Sequence, residues 1–354
     1  MVESFEALLE ATSRSFYLTL RVLPRAIRPQ IGLAYLLART TDTIADTEIL
    51  PVAARLAALQ KLRERILGQS TASLNFGELA QSQGLPAERV LLERIESALA
   101  ALQTLAPEDL KLVREVLITI TSGQELDLRR FARWGETPGE PSSTSAARGD
   151  ARPTRNKIIA LETAAELDDY TYRVAGCVGE FWTKMCRAHL FPNARLDEKQ
   201  LIADGIRFGK GLQLVNILRD LPADLKNGRC YLPTQRLDEI NLFPEILLSP
   251  AAQEKFLPLF REHLDKAESH LAAGWRYTNT LPFGQFRVRL ACAWPILFGM
   301  RTIKKLRAAD AAQLRTRVKI SRSEVWKIIF LSLLACPLPF AWRRLFVPTT
   351  EISK

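Results

Sequence analysis

Apolar residues recur with helical spacing along most of the chain. Seven segments carry them three and four positions apart, the spacing that gathers side chains on one helix face. These segments are 52–67, 90–102, 110–121, 170–189, 198–221, 253–273 and 286–306. Strand-like alternation with a period of two is nearly absent. The pattern therefore predicts an all-α protein.

The clearest break in this pattern is residues 135–156, which are small, polar and rich in proline and glycine. This composition is typical of a loop or a disordered segment. Because neither side of the break has its own core pattern, we interpret it as a loop inside one domain, residues 1–324.

Residues 325–354 form an apolar C-terminal segment, within which 328–342 carries no charge. A bilayer-spanning helix needs about 20 apolar residues, and two prolines interrupt this run before that length. Two interpretations stay open: a final core helix over 325–336, or a lobe in the membrane interface beside flanking basic residues. We expect peripheral, salt-sensitive membrane contact rather than a transmembrane anchor.

One predicted helix carries a single polar line on an otherwise apolar surface. Gln213, Asn216, Asp220 and Asp224 follow at steps of three, four and four, which places them on one face. Burying an unpaired carboxylate costs free energy. This face therefore lines a wet cavity or binds a cation, or it belongs to a helix end that faces solvent. Two carboxylates and an amide oxygen at this spacing suit Mg²⁺. Pro222 leaves open whether the helix ends near Asp220.

A second polar line lies near the N-terminus, where Tyr35, Arg39, Asp42 and Asp46 are spaced four, three and four. One acidic pair of this kind is a weak signal, since such pairs are common on solvated helix faces. Two pairs, each with an arginine nearby (Arg39 and Arg219), predict two facing acidic walls. These would hold several Mg²⁺ ions and a diphosphate, which is machinery for ionising an allylic diphosphate.

The charge balance agrees with an anionic partner. The net charge is +10 and the pI is about 9.5, which favours nucleic acid, a membrane surface or a phosphorylated substrate. No nucleic-acid-binding motif is present, so nucleic acid ranks last. Five scattered cysteines without zinc spacing and an N-terminus without a signal-peptide pattern predict a cytoplasmic location. We expect a monomer.

Ordered motifs along the chain resemble those of the squalene/phytoene synthases. They are Ser-Arg-Ser-Phe at 13–16, Asp-Thr-Ile-Ala-Asp at 42–46, Tyr-x-x-x-Val-Ala-Gly from 170, and the stretches 212–224 and 228–233. The segments 286–295 and 318–325 are similar to the squalene synthase branch, except that Ser321 stands where that branch has arginine.

This resemblance implies an isoprenoid-synthase helical fold around a central cavity, with Mg²⁺ and NADPH as cofactors and isoprenyl diphosphates as substrates. The implied metal ligands are Asp42, Asp46, Asp220 and Asp224. The implied diphosphate ligands are Ser13, Ser15, Arg39 and Arg219. The implied catalytic residues are Tyr170, Tyr35 and Arg39. The implied residues at the reducing cofactor are Phe16, Asn216, Lys319 and Arg322.

The implied reaction joins two farnesyl diphosphates through presqualene diphosphate and reduces the product to squalene. Two alternatives stay open at this point. One is a non-reducing relative that makes dehydrosqualene, phytoene or free presqualene diphosphate. The other, from a different functional class, is a non-catalytic helical protein that associates with membranes.

Overall fold

The computed structural model describes residues 5–13, 16–131, 158–310 and 313–347. The predicted loop at 135–156 lies outside these ranges, as does Ser15. The backbone of Phe16 is described but its side chain is not.

Within the described ranges the chain is almost entirely helical. The α-helices in the first part are α1 Phe5–Ser13, α2 Phe16–Val22, α3 Arg28–Asp46, α4 Val52–Leu67, α5 Gly77–Gln81, α6 Pro86–Glu93, α7 Ile95–Gln103 and α8 Pro107–Arg130. Those in the second part are α9 Ala164–Thr171, α10 Cys177–His189, α11 Glu198–Lys226, α12 Thr234–Asp238, α13 Gln253–Thr280, α14 Phe286–Ala308, α15 Arg322–Ala335 and α16 Pro339–Arg343. The all-α prediction is confirmed.

The remaining regular elements are short. A π-helix, Tyr172–Gly176, joins α9 to α10, so the predicted 170–189 helix is three elements. The strands β1 Ile159–Ala160 and β2 Arg229–Cys230 pair in parallel, with Ile159 opposite Arg229. The 3₁₀ turns are Pro244–Ile246, Pro250–Ala252, Phe283–Gln285 and Gln313–Arg315.

The predicted polar line from Gln213 to Asp224 lies on α11, which is continuous through Pro222. Its first turn is capped by Asp197, whose Oδ1 accepts a hydrogen bond from the Gln200 backbone N–H at 3.0 Å. Packing of α11 on α10, α13 and α14 outweighs the cost of an interior proline, about 3 kcal/mol. The alternative in which the helix ends near Asp220 is wrong, and Asp224 stays on the helix.

Glycines allow α11 to lie unusually close to the α9–α10 segment. A Cβ added to Gly179 would lie 1.9 Å from the Gly205 carbonyl oxygen, and one added to Gly209 would lie 2.1 Å from that of Ala175. Any side chain at either position would push the backbones apart. These contacts set the distance between α11 and the segment that carries Tyr170.

Most of the core among the described residues belongs to two large hydrophobic clusters. One includes Leu37 of α3, Leu59 of α4 and Leu117 of α8. The other includes Leu218 of α11 and buried residues of α13 and α14. Facing surfaces of α3, α8 and α11 enclose the cavity described below.

The C-terminal helices have one packed face and one exposed face. Ser332 of α15 is fully buried and its hydroxyl accepts a hydrogen bond from Trp294 Nε1 at 2.8 Å. Trp342 of α16 stacks on Trp275, with ring centroids 5.3 Å apart. On the opposite side Trp326 and Phe330 are each 61% exposed. The core-helix interpretation therefore holds for one face only. No helix in the described part of the chain is long and apolar enough to span a bilayer.

Candidate active site

The two predicted acidic lines face the same cavity, whose volume is about 580 Å³. It lies between α3, α8, the α9–π-helix segment and α11. Its polar and charged lining residues are Arg39, Asp42, Asp46, Arg55, Gln124, Asp127, Tyr170, Gln213, Asn216, Arg219, Asp220, Arg229, Tyr231 and Arg317. Residues from distant parts of the sequence thus converge on one wet, charged space.

The first wall is the C-terminal half of α3. Arg39 forms an ion pair with Glu88 of α6, and its Nη1 lies 4.0 Å from Asp42 Oδ2. Gln124 of α8 donates a hydrogen bond from Nε2 to Asp42. These contacts hold the Asp42 carboxylate and the Arg39 guanidinium at the cavity in defined orientations.

The second wall is the α11 face that carries Gln213, Asn216 and Asp220, as the spacing predicts. Arg219 donates to Asp220 from Nε at 3.0 Å and from Nη2 at 2.6 Å. Arg317, from the segment before α15, also contacts Asp220, with Nε 2.6 Å from Oδ1. Asp220 is therefore clamped between two guanidinium groups.

Within each wall the neighbouring carboxylates repel each other. Burial and the neighbouring Asp46 raise the pKa of Asp42 to about 7. Burial and the neighbouring Asp220 raise the pKa of Asp224 to about 7. Asp220 differs: burial opposes ionisation, but Arg219 and Arg317 hold its pKa below the ordinary value. Crowded carboxylates that resist ionisation are a donor set suited to a divalent cation.

Among the described residues, no group of three or more His, Cys, Asp or Glu side chains is close enough to hold a metal ion by itself. The four aspartates instead form two pairs on opposite walls. In each pair the carboxylates are one helix turn apart. Asp42, Asp46 and Asp220 line the cavity, whereas Asp224 lies one turn beyond Asp220 and is not among the lining residues.

Tyr170 lies at the base of the cavity in a chain of polar groups. Its ring stacks on Tyr231 with centroids 4.7 Å apart. Burial raises the pKa of Tyr170, and the neighbouring Tyr231 hydroxyl offsets part of that rise. Tyr231 in turn donates a hydrogen bond to Asp127 Oδ2 at 2.8 Å. Burial raises the pKa of Asp127 to about 6, and its Oδ1 is buried without a hydrogen-bond partner. This series of polar groups leads from the cavity to a buried proton acceptor, Asp127.

The structure adds cavity residues to which the sequence analysis gave no role: Gln124, Asp127, Arg229, Tyr231 and Arg317. Gln124 and Asp127 are three positions apart on α8, a helix whose buried residues are mostly apolar, and this spacing resembles the signal that marked α11. Arg229 and Tyr231 belong to the motif at 228–233. No comparable signal marks Arg317.

Two predicted site residues lie elsewhere. The Tyr35 hydroxyl donates to the Thr12 carbonyl of α1 at 3.3 Å. The Ser13 hydroxyl bonds to the Leu9 carbonyl within α1 and is 5% exposed. Neither is among the cavity-lining residues, because α1 covers this end of α3. The structure does not bring Tyr35 and Ser13 to the cavity lining, and their roles as a catalytic residue and a diphosphate ligand stay predictions.

A second cavity of about 470 Å³ lies beside the first. The two share Asn216, Arg219 and Arg317, and Lys319 lines only the second. Its remaining walls are mostly apolar and come from α11, α14, the start of α15 and the residue Ile320 before it. Arg322, predicted beside Lys319 at the cofactor, begins α15 and is not among the residues that line either cavity.

The chain is similar in sequence to proteins of known families. The sequence model of squalene/phytoene synthase matches residues 9–324. The squalene synthase of Schizosaccharomyces pombe is 24% identical over 92% of this chain and 64% of its own length. The presqualene diphosphate synthase of Sinorhizobium fredii is 30% identical over 66% of this chain and 62% of its own. The chain spans less than two thirds of the length of these curated relatives.

Solved structures support the same fold. The squalene synthase TcSQS in complex with the ligand BPH1237 superposes with a TM-score of 0.72 at 21% identity, over 96% of this chain and 89% of that one. The match to the family covers four-fifths or more of the sequence, including both acidic helices. The chain therefore belongs to the squalene/phytoene synthase family.

Proposed function

We propose that this protein joins two farnesyl diphosphates head to head, through presqualene diphosphate, and reduces the product to squalene. The observation that carries the proposal is the pairing of acidic walls and arginines around one cavity, with a second, mostly apolar cavity sharing Asn216. The first space suits two diphosphates with their cations. The second suits a reductant that reaches the same reaction centre.

The diphosphates would be held by charges on both walls. Asp42 and Asp46 on α3 and Asp220 and Asp224 on α11 would bind Mg²⁺, which when bound stabilises the charge of the leaving diphosphate. Arg39 is held by Glu88 and offers its guanidinium as a fork for phosphate oxygens. Because the Arg39 guanidinium is held by Glu88 before the substrate arrives, little reorganisation of this group opposes ionisation.

The proton lost in the first half-reaction would leave through Tyr170. Burial raises the pKa of Tyr170, so it enters the reaction as a neutral hydroxyl and is a poor base alone. The Tyr170 oxygen would take the proton while its own proton passes to Tyr231, whose proton passes to Asp127 Oδ2. Each of the two tyrosine oxygens gains one proton and loses one, and the Asp127 carboxylate keeps the proton that it receives. The released diphosphate is the other acceptor within the cavity.

The reduction would use NADPH as hydride donor in the second cavity. Lys319 and Asn216 line this cavity and would bind the phosphate and amide groups of the cofactor. Its apolar walls include Leu212, Pro295 and Phe298, which would keep water away from carbocations in the second half-reaction.

We expect Lys319→Gln to reduce squalene formation while presqualene diphosphate accumulates. The loss of one phosphate-binding charge predicts about a ten-fold increase in the KM for NADPH. Arg322→Gln is the matched control, because it removes the same kind of charge three residues away and outside the cavity. Equal effects of the two variants would contradict the placement of the cofactor.

The direct test of the proposal incubates the purified protein with farnesyl diphosphate and Mg²⁺, with and without NADPH. Squalene formed only with NADPH supports the proposal. Dehydrosqualene, phytoene or presqualene diphosphate under both conditions would identify a non-reducing relative. The absence of any diphosphate release would point to the non-catalytic alternative.

The exposed face of the C-terminal segment would rest on an anionic membrane. Besides Trp326 and Phe330, this part of the chain exposes Leu333, Leu334, Leu338 and Phe340, between 49% and 69% each. Lys327, Arg343 and Arg344 are exposed in the same segment. An apolar face with basic residues matches the interface of a bilayer that contains anionic lipids. A very apolar product would leave the enzyme there.

We expect the protein to float with vesicles that contain phosphatidylglycerol and to be released by high salt. The double variant Phe330→Ser, Leu334→Ser should lose at least ten-fold in vesicle affinity, since two exposed apolar side chains are removed. Ile49→Ser, Phe243→Ser removes similarly exposed side chains elsewhere and should bind normally. A variant ending at Glu324 complements this test. Equal flotation of the two double variants would refute the membrane contact.

A further inference from the structure

Asp220 differs from the other three predicted metal ligands because two guanidinium groups already occupy it. Arg219 donates to both of its oxygens, at 3.0 and 2.6 Å. Arg317 does the same, with Nε 2.6 Å from Oδ1 and Nη2 donating to Oδ2 at 3.1 Å. A cation can reach Asp220 only if one of these arginines withdraws.

Arg317 is the arginine placed to withdraw. Arg219 is the neighbour of Asp220 on the same helix and is one quarter exposed, whereas the Arg317 side chain is half exposed. The backbone around Arg317 is held in place. Arg315 Nε donates to the Leu248 carbonyl at 3.0 Å, and Lys305 Nζ donates to the Lys319 carbonyl at 3.0 Å. The guanidinium can therefore change partner by side-chain rotation alone.

The position of Arg317 gives it an alternative partner. It lines the cavity between the acidic walls and also the neighbouring cavity. When a cation takes its place on Asp220, the guanidinium remains at the edge of a space that would hold diphosphate. A guanidinium and a diphosphate oxygen form strong, charge-assisted hydrogen bonds. The carboxylate and the diphosphate thus compete for the same arginine.

We propose that Arg317 exchanges partners during loading, from Asp220 in the metal-free enzyme to a diphosphate oxygen in the loaded one. When metal binds alone, Arg317 loses its ion pair with Asp220 and gains no new partner. When diphosphate is also bound, its oxygen replaces Asp220 as the partner of Arg317. The exchange makes metal binding and diphosphate binding depend on each other. This inference rests on the proposed function, because it assumes that the ligand of the cavity is a diphosphate.

The test compares full-length wild-type protein with Arg317→Gln, using Mn²⁺ as the metal probe. Free Mn²⁺ is measured by electron paramagnetic resonance, first with protein alone and then with inorganic pyrophosphate at matched free Mn²⁺. Arg322→Gln is the control, because it removes an equal charge five residues away from an exposed side chain outside both cavities. It reports how far the lost charge alone changes cation affinity.

We expect Arg317→Gln to bind Mn²⁺ alone about five-fold more tightly than Arg322→Gln, a factor that corresponds to the free energy of a partly exposed ion pair. The factor by which pyrophosphate tightens Mn²⁺ binding should be at least about five-fold smaller in Arg317→Gln than in the control. Equal Mn²⁺ affinities in the two variants, or an unchanged pyrophosphate effect, would overturn the exchange. Asp220→Asn tests the metal site separately. If it leaves Mn²⁺ binding unchanged, the proposed function fails at this residue, whatever Arg317 does.

Discussion

Replacing Asp224 by asparagine is expected to lower turnover at least 100-fold and, at the same time, to stabilise the metal-free protein. The loss of turnover follows because the carboxylate would bind the cation that stabilises the leaving diphosphate, and one such group contributes about 10²–10³ in rate. Diphosphate release from farnesyl diphosphate at saturating Mg²⁺ measures it. Near-normal turnover would show that Asp224 does not serve the cation.

The gain in stability follows from the pKa of Asp224, which burial and Asp220 raise to about 7. Between the ordinary value of 3.8 and 7, the folded protein binds a proton that the unfolded chain has lost. The carboxyl group therefore lowers stability as pH rises through this window, and asparagine removes that cost. We expect equal melting temperatures at pH 4 and a variant about 2 °C more stable at pH 8.

The matched control is Asp238→Asn, which makes the same substitution at an exposed aspartate of α12. It should change neither turnover nor the pH dependence of melting. Asp42→Asn should behave like Asp224→Asn, because the pKa of Asp42 is also raised to about 7. Asp220→Asn should lose turnover without gaining stability, because its pKa is lowered and its charge is paired. A variant that loses activity by unfolding would melt earlier at every pH.

Tyr170→Phe is expected to slow presqualene diphosphate formation about 100-fold while farnesyl diphosphate still binds. The substitution keeps the ring stacked on Tyr231 and removes only the hydroxyl that would pass the proton on. Single-turnover formation of presqualene diphosphate is the measurement, and substrate affinity is determined separately. A normal rate would show that Tyr170 only packs.

The control is Tyr172→Phe, two residues away on the π-helix. The Tyr172 hydroxyl donates to Glu180 at 3.0 Å, and Tyr172 is not among the residues that line the cavity. Its loss should leave the first half-reaction unchanged. Asp127→Asn distinguishes the two proton acceptors. If it slows the reaction as Tyr170→Phe does, Asp127 receives the proton. If it does not, the released diphosphate is the acceptor.

The sequence by itself determined the helical class and both acidic walls. Helix spacing is local, so steps of three and four residues already place Asp42 beside Asp46 and Asp220 beside Asp224. It also identified Tyr170 and the motif that contains Tyr231 by resemblance to the family. The same local argument applied to Gln124 and Asp127 would have added the α8 wall.

The direction of individual side chains required the tertiary structure. Tyr35 and Arg39 share one face of α3, but α1 covers the end with Tyr35, whose hydroxyl bonds to Thr12. The C-terminal segment is apolar by sequence, and only packing against Trp294 and Trp275 divides it into buried and exposed faces.

Contacts between distant residues also depended on the tertiary structure. Arg317 reaches Asp220 across 97 positions and Gln124 reaches Asp42 across 82. Spacing along one helix carries no information about such partners, because they depend on how helices pack and where connecting segments return. The acidic walls are therefore local features of single helices. The groups that neutralise and orient their carboxylates, and those that would carry protons away, are brought there by the fold.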